Sequence, residues 1–222
     1  MPRSAAGGTR SALLDAALDA FAAKGFAGAS IREITRVVGV RESAFYAHFA
    51  SKRAVYDELF AEGGPPVAGR ALDALRNESA PREFLEHFAT SIIEAWSTPR
   101  ARKVAAMMMR DAFDGEAIGW RTMRASIDGV ISLLVARLGA WQRAGAVRAD
   151  ANAPTLAFEF IAPVAMARFI YFNVAAGKAE AARGRELVRE HARTFAALIA
   201  PPKPAGKRRR ERRSWCCSRR AR

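Results

Sequence analysis

The chain has 222 residues, of which 50% are apolar and 26% charged; this is enough apolar material for a packed core and excludes wholesale disorder. Its formal net charge of +14 is unevenly placed, because residues 203–222 carry ten Lys or Arg against one Glu. The global charge therefore describes a C-terminal tail more than the folded part, and it does not by itself indicate a polyanionic partner.

The predicted elements are all helical, because apolar residues recur at spacings of three and four and no alternating strand pattern appears. A first amphipathic helix runs from Thr9 to Lys24 and ends at Gly25. Ser30 begins a second helix as its N-cap, with Glu33 three positions later in the pattern of a capping box. The buried face of this second helix is predicted to contain Ile31, Ile34, Val37 and Val38.

The second and third helices are joined at Gly39, which tolerates the left-handed backbone conformation. The third helix is predicted from Glu42 to His48, with Phe45 and Phe49 in the core, and Ser51 caps a fourth helix. Two short helices around a glycine turn, with a capping box before them and a supporting helix on each side, predict a helix-turn-helix whose second helix enters a DNA major groove.

The sequence EGGPP at residues 62–66 interrupts the helical periodicity and predicts a hinge or domain boundary. Beyond it, helices are predicted over residues 81–97, 99–113, 117–144, 153–176 and 181–200. The fold is therefore predicted as all-α. A three-helix helix-turn-helix DNA-binding domain occupies residues 1–62, a larger helical ligand-binding and dimerisation domain residues 63–200, and a basic disordered tail residues 201–222.

The first sixty residues resemble the DNA-binding domain of TetR/AcrR-type transcriptional regulators. The resemblance rests on LLDAALDAFAAKGFAGASIREI, on GV followed by SAFYAHF, and on SKRAVYDEL. It implies a homodimer that binds a palindromic DNA operator, with the dimer interface and a pocket for an inducing ligand in the C-terminal domain. Two positions depart from the family pattern: Arg41 stands where a capping serine is common, and Thr35 stands where a small alanine is usual.

The resemblance also implies the residues that contact DNA: Ser30, Arg32, Arg41, Glu42, Ser43, Ala44, Tyr46, His48 and Lys52. Ser43 and Ala44 would approach bases, with Arg41 and Glu42 beside them, and the others would hold phosphates. Hydroxyl, imidazole and ammonium donors near helix N-termini suit a phosphate backbone. For Tyr46 and His48, a place at the boundary of a small core is the alternative.

The region from residue 96 to residue 123 is rich in methionine and aromatic side chains, which line adaptable apolar cavities. Three consecutive methionines cannot all face one cavity, so ordinary core is the alternative for any single one. The predicted pocket residues are Trp96, Met107, Met108, Phe113, Trp120 and Met123.

The stretch from Leu156 to Tyr171 is apolar on too many faces for a surface helix. Together with the last helix it predicts a four-helix dimer interface about a two-fold axis, and the alternative is a buried central helix in a monomer. Pro163 is predicted to kink this helix. The predicted interface residues are Phe158, Ile161, Ala165, Arg168, Phe169 and Phe195.

No Gly-rich phosphate loop, nucleophile–base pair or metal-ligand spacing appears in the sequence, so it predicts neither an enzyme nor a cofactor or metal site. Adjacent Cys216 and Cys217 form no disulfide framework and no signal peptide is evident, which favours a cytoplasmic location. Glu159, Pro163 and Arg168 interrupt the most apolar stretch, so no membrane partner is expected.

The sequence therefore predicts a ligand-responsive transcriptional regulator, a repressor that binds a palindromic operator as a homodimer and is released by a small apolar or amphipathic effector. The alternative is a helical dimeric adaptor for protein interaction that has no specific DNA binding. Within the first prediction, residues 30–52 make the specific DNA contacts, and the more basic tail is a solvated extension.

Overall fold

The computed structural model describes residues 4–63, 66–78, 80–113 and 117–202, and these fold into helices without a strand, which confirms the all-α prediction. The helices in chain order are α1 Ser4–Gly28, α2 Ile31–Val38, α3 Glu42–Tyr46, α4 Lys52–Gly63, α5 Pro66–Ala74, α6 Pro81–Trp96, α7 Pro99–Phe113, α8 Ala117–Arg143, α9 Ala153–Tyr171 and α10 Lys178–Ile199. The tail from residue 203 lies outside the described residues.

Side-chain caps fix several helix starts where the sequence predicted them. Ser51 Oγ accepts a hydrogen bond from Ala54 N at 3.1 Å, and Thr98 Oγ1 accepts one from Ala101 N at 3.2 Å. Asn152 Oδ1 accepts from Thr155 N at 3.4 Å at the start of α9. Because each cap satisfies a backbone N–H that has no partner inside its helix, these residues define the boundaries locally.

The first hydrophobic core lies among α1 to α4 but does not end with them. Phe21, Phe45, Tyr56 and Leu59 are fully buried in it, and Val104 of α7 is buried among them. Met107, Met108 and Met123 complete the cluster from α7 and α8. The domain boundary after residue 62 stays a prediction, because apolar packing crosses the EGGPP break at residues 62–66 through α7.

The second core is formed by α5, α6, α8, α9 and α10. Its aromatic centre joins Phe88 to Phe160 at 6.0 Å between ring centroids, and Phe160 to Phe195 at 5.3 Å. His191 stacks on Phe160 at 5.8 Å, and its Nε2 lies 2.9 Å from the Phe160 carbonyl oxygen. This histidine is therefore a packing residue of the core, in agreement with its lack of a ligand cluster in the sequence.

Helix α7 joins α1 to the rest of the molecule by polar contacts as well as apolar ones. Lys103 pairs with Asp19 at 2.5 Å, and Arg100 pairs with Glu62 at 2.5 Å and also with Asp15. A further polar contact joins the buried Asp111 to the C-terminal end of α1. Asp111 Oδ1 accepts a hydrogen bond from the backbone N–H of Phe26 at 2.8 Å.

Among the described helices, α9 alone has the length and apolar composition of a membrane-spanning segment, features that the core helix of a soluble protein shares. It packs against α8 and α10, and Phe160, Val164 and Arg168 are buried in that packing. These contacts account for the buried part of its apolar sequence.

Candidate nucleic-acid interface and apolar cavity

The helix-turn-helix has the turn geometry that the sequence predicted. Ser30 Oγ accepts from Glu33 N at 3.1 Å, and Gly39 adopts the left-handed conformation at φ 77° and ψ 27°. The N–H of Val40 then donates to the Thr35 carbonyl at 3.0 Å, which closes the C-terminus of α2. The Glu33 carboxylate pairs with Lys24 at 2.5 Å, so the Ser30 hydroxyl is the half of the predicted capping box that the structure shows.

The two departures from the family pattern are accommodated locally. Thr35 is buried, and its hydroxyl donates to the Ile31 carbonyl at 3.0 Å, so the extra oxygen is satisfied within α2. Arg41 is the N-cap of α3 in an extended conformation, without a side-chain cap.

Six of the nine residues predicted to contact DNA are exposed. Arg32, Arg41 and Glu42 line a concave surface between α2 and α3, and Ser30, Ser43 and Tyr46 are also exposed. Ala44, His48 and Lys52 are half-buried. The concave surface also includes Arg36, which the sequence reasoning did not select although it lies one helical turn after Arg32.

Val37 corrects the predicted buried face of α2, because its side chain is 70% exposed. Ile34 and Thr35 form the buried side of the helix instead. A large exposed apolar side chain on a DNA-reading motif is suited to contact with a thymine methyl group.

Lys52 is partly committed to the fold. Its Nζ donates to the carbonyls of Phe26 at 2.6 Å and Ala29 at 2.8 Å, and it lies 4.4 Å from the Phe26 ring centroid. An ammonium has three hydrogens, so one remains for the predicted phosphate contact. The principal observed role of Lys52 is to join the start of α4 to the α1–α2 connection.

An apolar cavity of about 280 Å³ lies among α6, α7, α8 and α9. Trp96, Met108 and Met123 line it, as predicted for a pocket. Other predicted members do not line it: Met107 is fully buried in the first core, and Trp120 is 51% exposed. Successive residues of α7 point in different directions, which separates Met107 from Met108. The side chain of Phe113 lies outside the described residues.

The residues predicted for the dimer interface mostly line this same cavity: Phe158, Ile161, Ala165, Arg168 and Phe169. Ile161 and Arg168 are buried within the chain, and Phe195 packs on Phe160 in the second core, so these three do not face a partner. The exposed apolar side chains of α9 and α10 are Phe158, which was predicted for the interface, and Met166, Ile170, Leu187 and Leu198, which were not. The dimer interface stays a prediction, and the exposed apolar surface extends beyond the residues predicted for it.

Arg168 is the one charged residue in the cavity wall among the described residues, and only 2% of its surface is exposed. Its Nη2 donates to the Gly63 carbonyl at the end of α4 and to the Ala101 carbonyl of α7 at 3.2 Å. The guanidinium carbon lies 4.6 Å from the Trp96 ring centroid. Burial lowers the pKa of Arg168 to about 9, so the group stays charged at neutral pH.

The chain is similar to known regulators over its N-terminal part and in its fold. Residues 13–64 match the family model of bacterial regulatory proteins of the tetR family. The transcriptional regulator SrpR of Pseudomonas putida is 27% identical over 106 residues, 48% of each chain. The transcriptional repressor KstR2 of Rhodococcus jostii is 30% identical over 88 residues, 40% of this chain and 43% of the repressor.

The chain therefore spans about half the length of these two relatives. A solved structure, a Clostridium perfringens putative fatty acid metabolism regulator, matches the fold with a TM-score of 0.65 at 19% identity, covering 86% of this chain and all of that one. Each of these three proteins carries the name of a regulator rather than an enzyme.

Proposed function

We propose that this member of the TetR family of bacterial regulatory proteins is a repressor that binds a palindromic DNA operator as a homodimer and is released by a small apolar or amphipathic effector. Family membership supports the role of a DNA-binding regulator. That the chain represses, that its operator is a palindrome, that it dimerises and that an effector releases it are the proposal. The related KstR2 of Rhodococcus jostii is named a repressor, which supports the sign of the regulation.

The observation that carries the DNA-binding role is the distribution of free positive charge. Arg32, Arg36 and Arg41 are exposed around the concave surface, and none of them pairs with a carboxylate among the described residues. The other described basic residues of α1 to α4 are engaged: Arg10 with Glu58, Lys24 with Glu33, Arg53 with Asp57, and Lys52 with two carbonyls. Uncompensated arginines around a helix-turn-helix are suited to phosphate and guanine contacts.

Dimerisation is supported by exposed apolar residues on neighbouring helices. Met166 and Ile170 of α9 and Leu187 of α10 line a shallow groove together with Pro163. A self-complementary pair of such helices buries this surface around a two-fold axis, and two helix-turn-helix motifs then reach successive major grooves about one helical turn apart.

The effector role is supported by the cavity. Its lining is almost wholly apolar with one buried cation, which is the general pattern of a small-molecule site. To change the fraction of DNA-competent protein from nearly all to nearly none, an effector must prefer one state by about 5 kcal/mol. Contacts spread over Trp96, Met108 and Phe169 offer apolar area for such a preference.

The test is selection of bound sequences from random duplexes, followed by affinity measurements on the enriched sequence over a range of salt concentrations. We expect a palindrome, and we expect Arg36→Ala and Arg41→Ala each to weaken binding by about 1–3 kcal/mol where they contact a base, or to reduce the salt slope by about one where they contact a phosphate. Tyr46→Phe combined with His48→Ala tests the phosphate contacts in the same assay.

Arg124→Ala is the matched control, since Arg124 is an exposed arginine on α8, outside the helix-turn-helix. It should leave both affinity and salt slope unchanged. If selection enriches no palindrome and the α2–α3 variants bind random DNA like the parent chain, the regulator proposal is wrong and the adaptor alternative gains support.

A further inference from the structure

In the part of the chain that the structure describes, the cavity wall contains one charged side chain, Arg168, that has no counter-ion and one N–H without an acceptor. Arg168 lies in an apolar wall with Phe158, Ile161 and Phe169, and no described carboxylate in residues 4–63, 66–78, 80–113 or 117–202 lies within ion-pair distance of it. Its Nε is buried and makes no hydrogen bond. A buried guanidinium without a counter-ion carries a desolvation cost that an anion would offset.

An anion that binds Arg168 must compete for hydrogen-bond donors that already bind backbone carbonyls of the fold. Nη2 holds the carbonyls of Gly63 and Ala101, whereas Nε has no acceptor. A carboxylate binds an arginine side-on through Nε and one terminal nitrogen, because its two oxygens match that fork. Such a carboxylate gains the free Nε–H and takes a hydrogen of Nη2 from at least one of the two carbonyls.

Those two carbonyls lie at the junction of the DNA-binding part with the rest of the chain. Gly63 is the last residue of α4, whose Val55, Tyr56, Leu59 and Phe60 form part of the first core. Ala101 is in the first turn of α7, next to the Arg100 that pairs with Glu62. A change in the bonds of Arg168 therefore acts directly on the end of α4.

We propose that the cavity binds an amphiphile with an apolar chain and one carboxylate, and that this carboxylate pairs with Arg168 and releases the Gly63 carbonyl, loosening the end of α4. This inference rests on the proposed function, since it names the class of effector and the route by which that effector reaches the helix-turn-helix. The apolar lining accommodates the chain, and the single cation selects the head group.

The alternative role for Arg168 is purely structural. It would cap the C-terminus of α4 and close the cavity, with Trp96 stacked against it. This alternative predicts that the cavity has no preference among head groups on equal chains.

The experiment is calorimetric titration of the full chain with decanoate, 1-decanol and decyltrimethylammonium, below their aggregation concentrations. We expect decanoate to bind about tenfold to hundredfold more tightly than decanol, the range that a hydrogen-bonded charge contributes. The cationic probe should bind most weakly. Equal affinity for decanoate and decanol would overturn the proposal and leave Arg168 with the structural role.

Variants of Arg168 and Ala165 distinguish binding of the probe's head group from binding of its alkyl chain. Arg168→Met has a similar length and should lose the preference for decanoate while it retains decanol binding; Arg168→Lys keeps the charge without the fork and should retain part of the preference. Ala165→Trp fills the cavity and should weaken both probes. If Arg168→Met does not fold, the probe series on the unmodified chain still decides the question.

The proposed loosening of the end of α4 is tested by a separate measurement. Amide hydrogen exchange in the last turn of α4 should become faster with saturating decanoate and remain unchanged with decanol. Unchanged exchange with decanoate bound would overturn the route through Gly63. Operator binding measured without any probe reports on the proposed function alone, so binding of DNA with no response to decanoate would contradict only this inference.

Discussion

Gly39 and Gly184 are both required by the fold, but for different structural reasons. At Gly39 the space around an added Cβ is open, and the requirement is the left-handed backbone at φ 77°. At Gly184 the backbone is ordinary helix, and an added Cβ would lie 2.4 Å from Tyr171 Cβ and 3.0 Å from Phe172 Cε2. The first glycine sets the angle of a turn, and the second permits α9 and α10 to lie close together.

We expect Gly39→Ala to lower the free energy of unfolding by about 1–2 kcal/mol through its backbone alone. Gly39→Asn should recover part of this loss, because asparagine tolerates the left-handed region. Gly184→Ala should cost about 1–3 kcal/mol by overpacking, and Gly184→Asn should be worse still, not better. Urea denaturation measures all four variants.

Gly129→Ala is the control, since Gly129 lies in α8 where an added Cβ has open space and the backbone is helical. It should be neutral or stabilising by up to about 1 kcal/mol. A stabilising Gly184→Ala would show that α9 and α10 do not approach as closely as described.

At the scale of elements, α7 is the helix on which the two parts of the chain meet. Its Val104 and Met107 lie in the first core, and its Met108 lines the cavity. Asp111 on the same helix is buried, holds the Phe26 N–H and lies beside Tyr56. Burial, and then the neighbouring Asp111 carboxylate, raise the pKa of the Tyr56 phenol well above its usual value, so this phenol remains neutral.

We expect Asp111→Ala to lower the free energy of unfolding by about 1–3 kcal/mol, because it leaves the Phe26 N–H without an acceptor. Asp111→Asn retains an oxygen at that place and should cost less. Thermal and urea unfolding of the two variants give the comparison. Equal losses would mean that the carboxylate charge, and not the hydrogen bond to Phe26, is what the site requires.

The sequence predicts helix boundaries well where they depend on residues next to them in the chain. Caps such as Ser30, Thr98 and Asn152 satisfy their own helix, and Gly39 has the positive φ that its position at a helix end suggested. Gly25 also has a positive φ, but α1 continues past it to Gly28. Short-range chemistry therefore placed most helix boundaries within a few residues. Helix α9 ends at Tyr171, five residues before the expected residue 176, and its C-cap is Phe172 rather than a glycine that the sequence would mark.

It was harder to predict which side chains of a helix are buried and which line a cavity, because this depends on which helix packs against them. Val37 continues an apolar pattern yet is exposed, Met108 lines the cavity whereas its neighbour Met107 does not, and Arg168 was expected at a subunit surface but is buried. Arg36 was missed because its role depends on α3 lying beside it. Tertiary packing decides such cases, and one sequence does not contain the opposing face.

At the scale of the whole molecule, the proposed dimer makes a prediction about size. Leu187→Glu and Ile170→Glu each place a carboxylate in the apolar groove of α9 and α10, where an ion without a partner is costly to bury. We expect either variant to shift the chain from dimer to monomer while the helical content stays constant. Sedimentation velocity over a range of concentrations measures the shift.

Leu133→Glu is the matched control, an exposed leucine of α8 away from that groove. It should leave the mass unchanged. A parent chain that sediments as a monomer at micromolar concentration would contradict the proposed dimer. A Leu133→Glu variant that dissociates while Leu187→Glu does not would place the interface elsewhere.

The packing of α7 into the first core, although α7 follows α6 in the chain, limits how this protein can be recombined. A chimera that joins the first 63 residues to the C-terminal half of another regulator would replace Val104, Met107 and Asp111 with residues selected for a different neighbour. The transplantable unit is thus discontinuous in sequence, consisting of α1 to α4 together with the inner face of α7. Exchanging specificity between such regulators should succeed when that face is carried with the DNA-reading helices and should yield poorly folded hybrids when it is left behind.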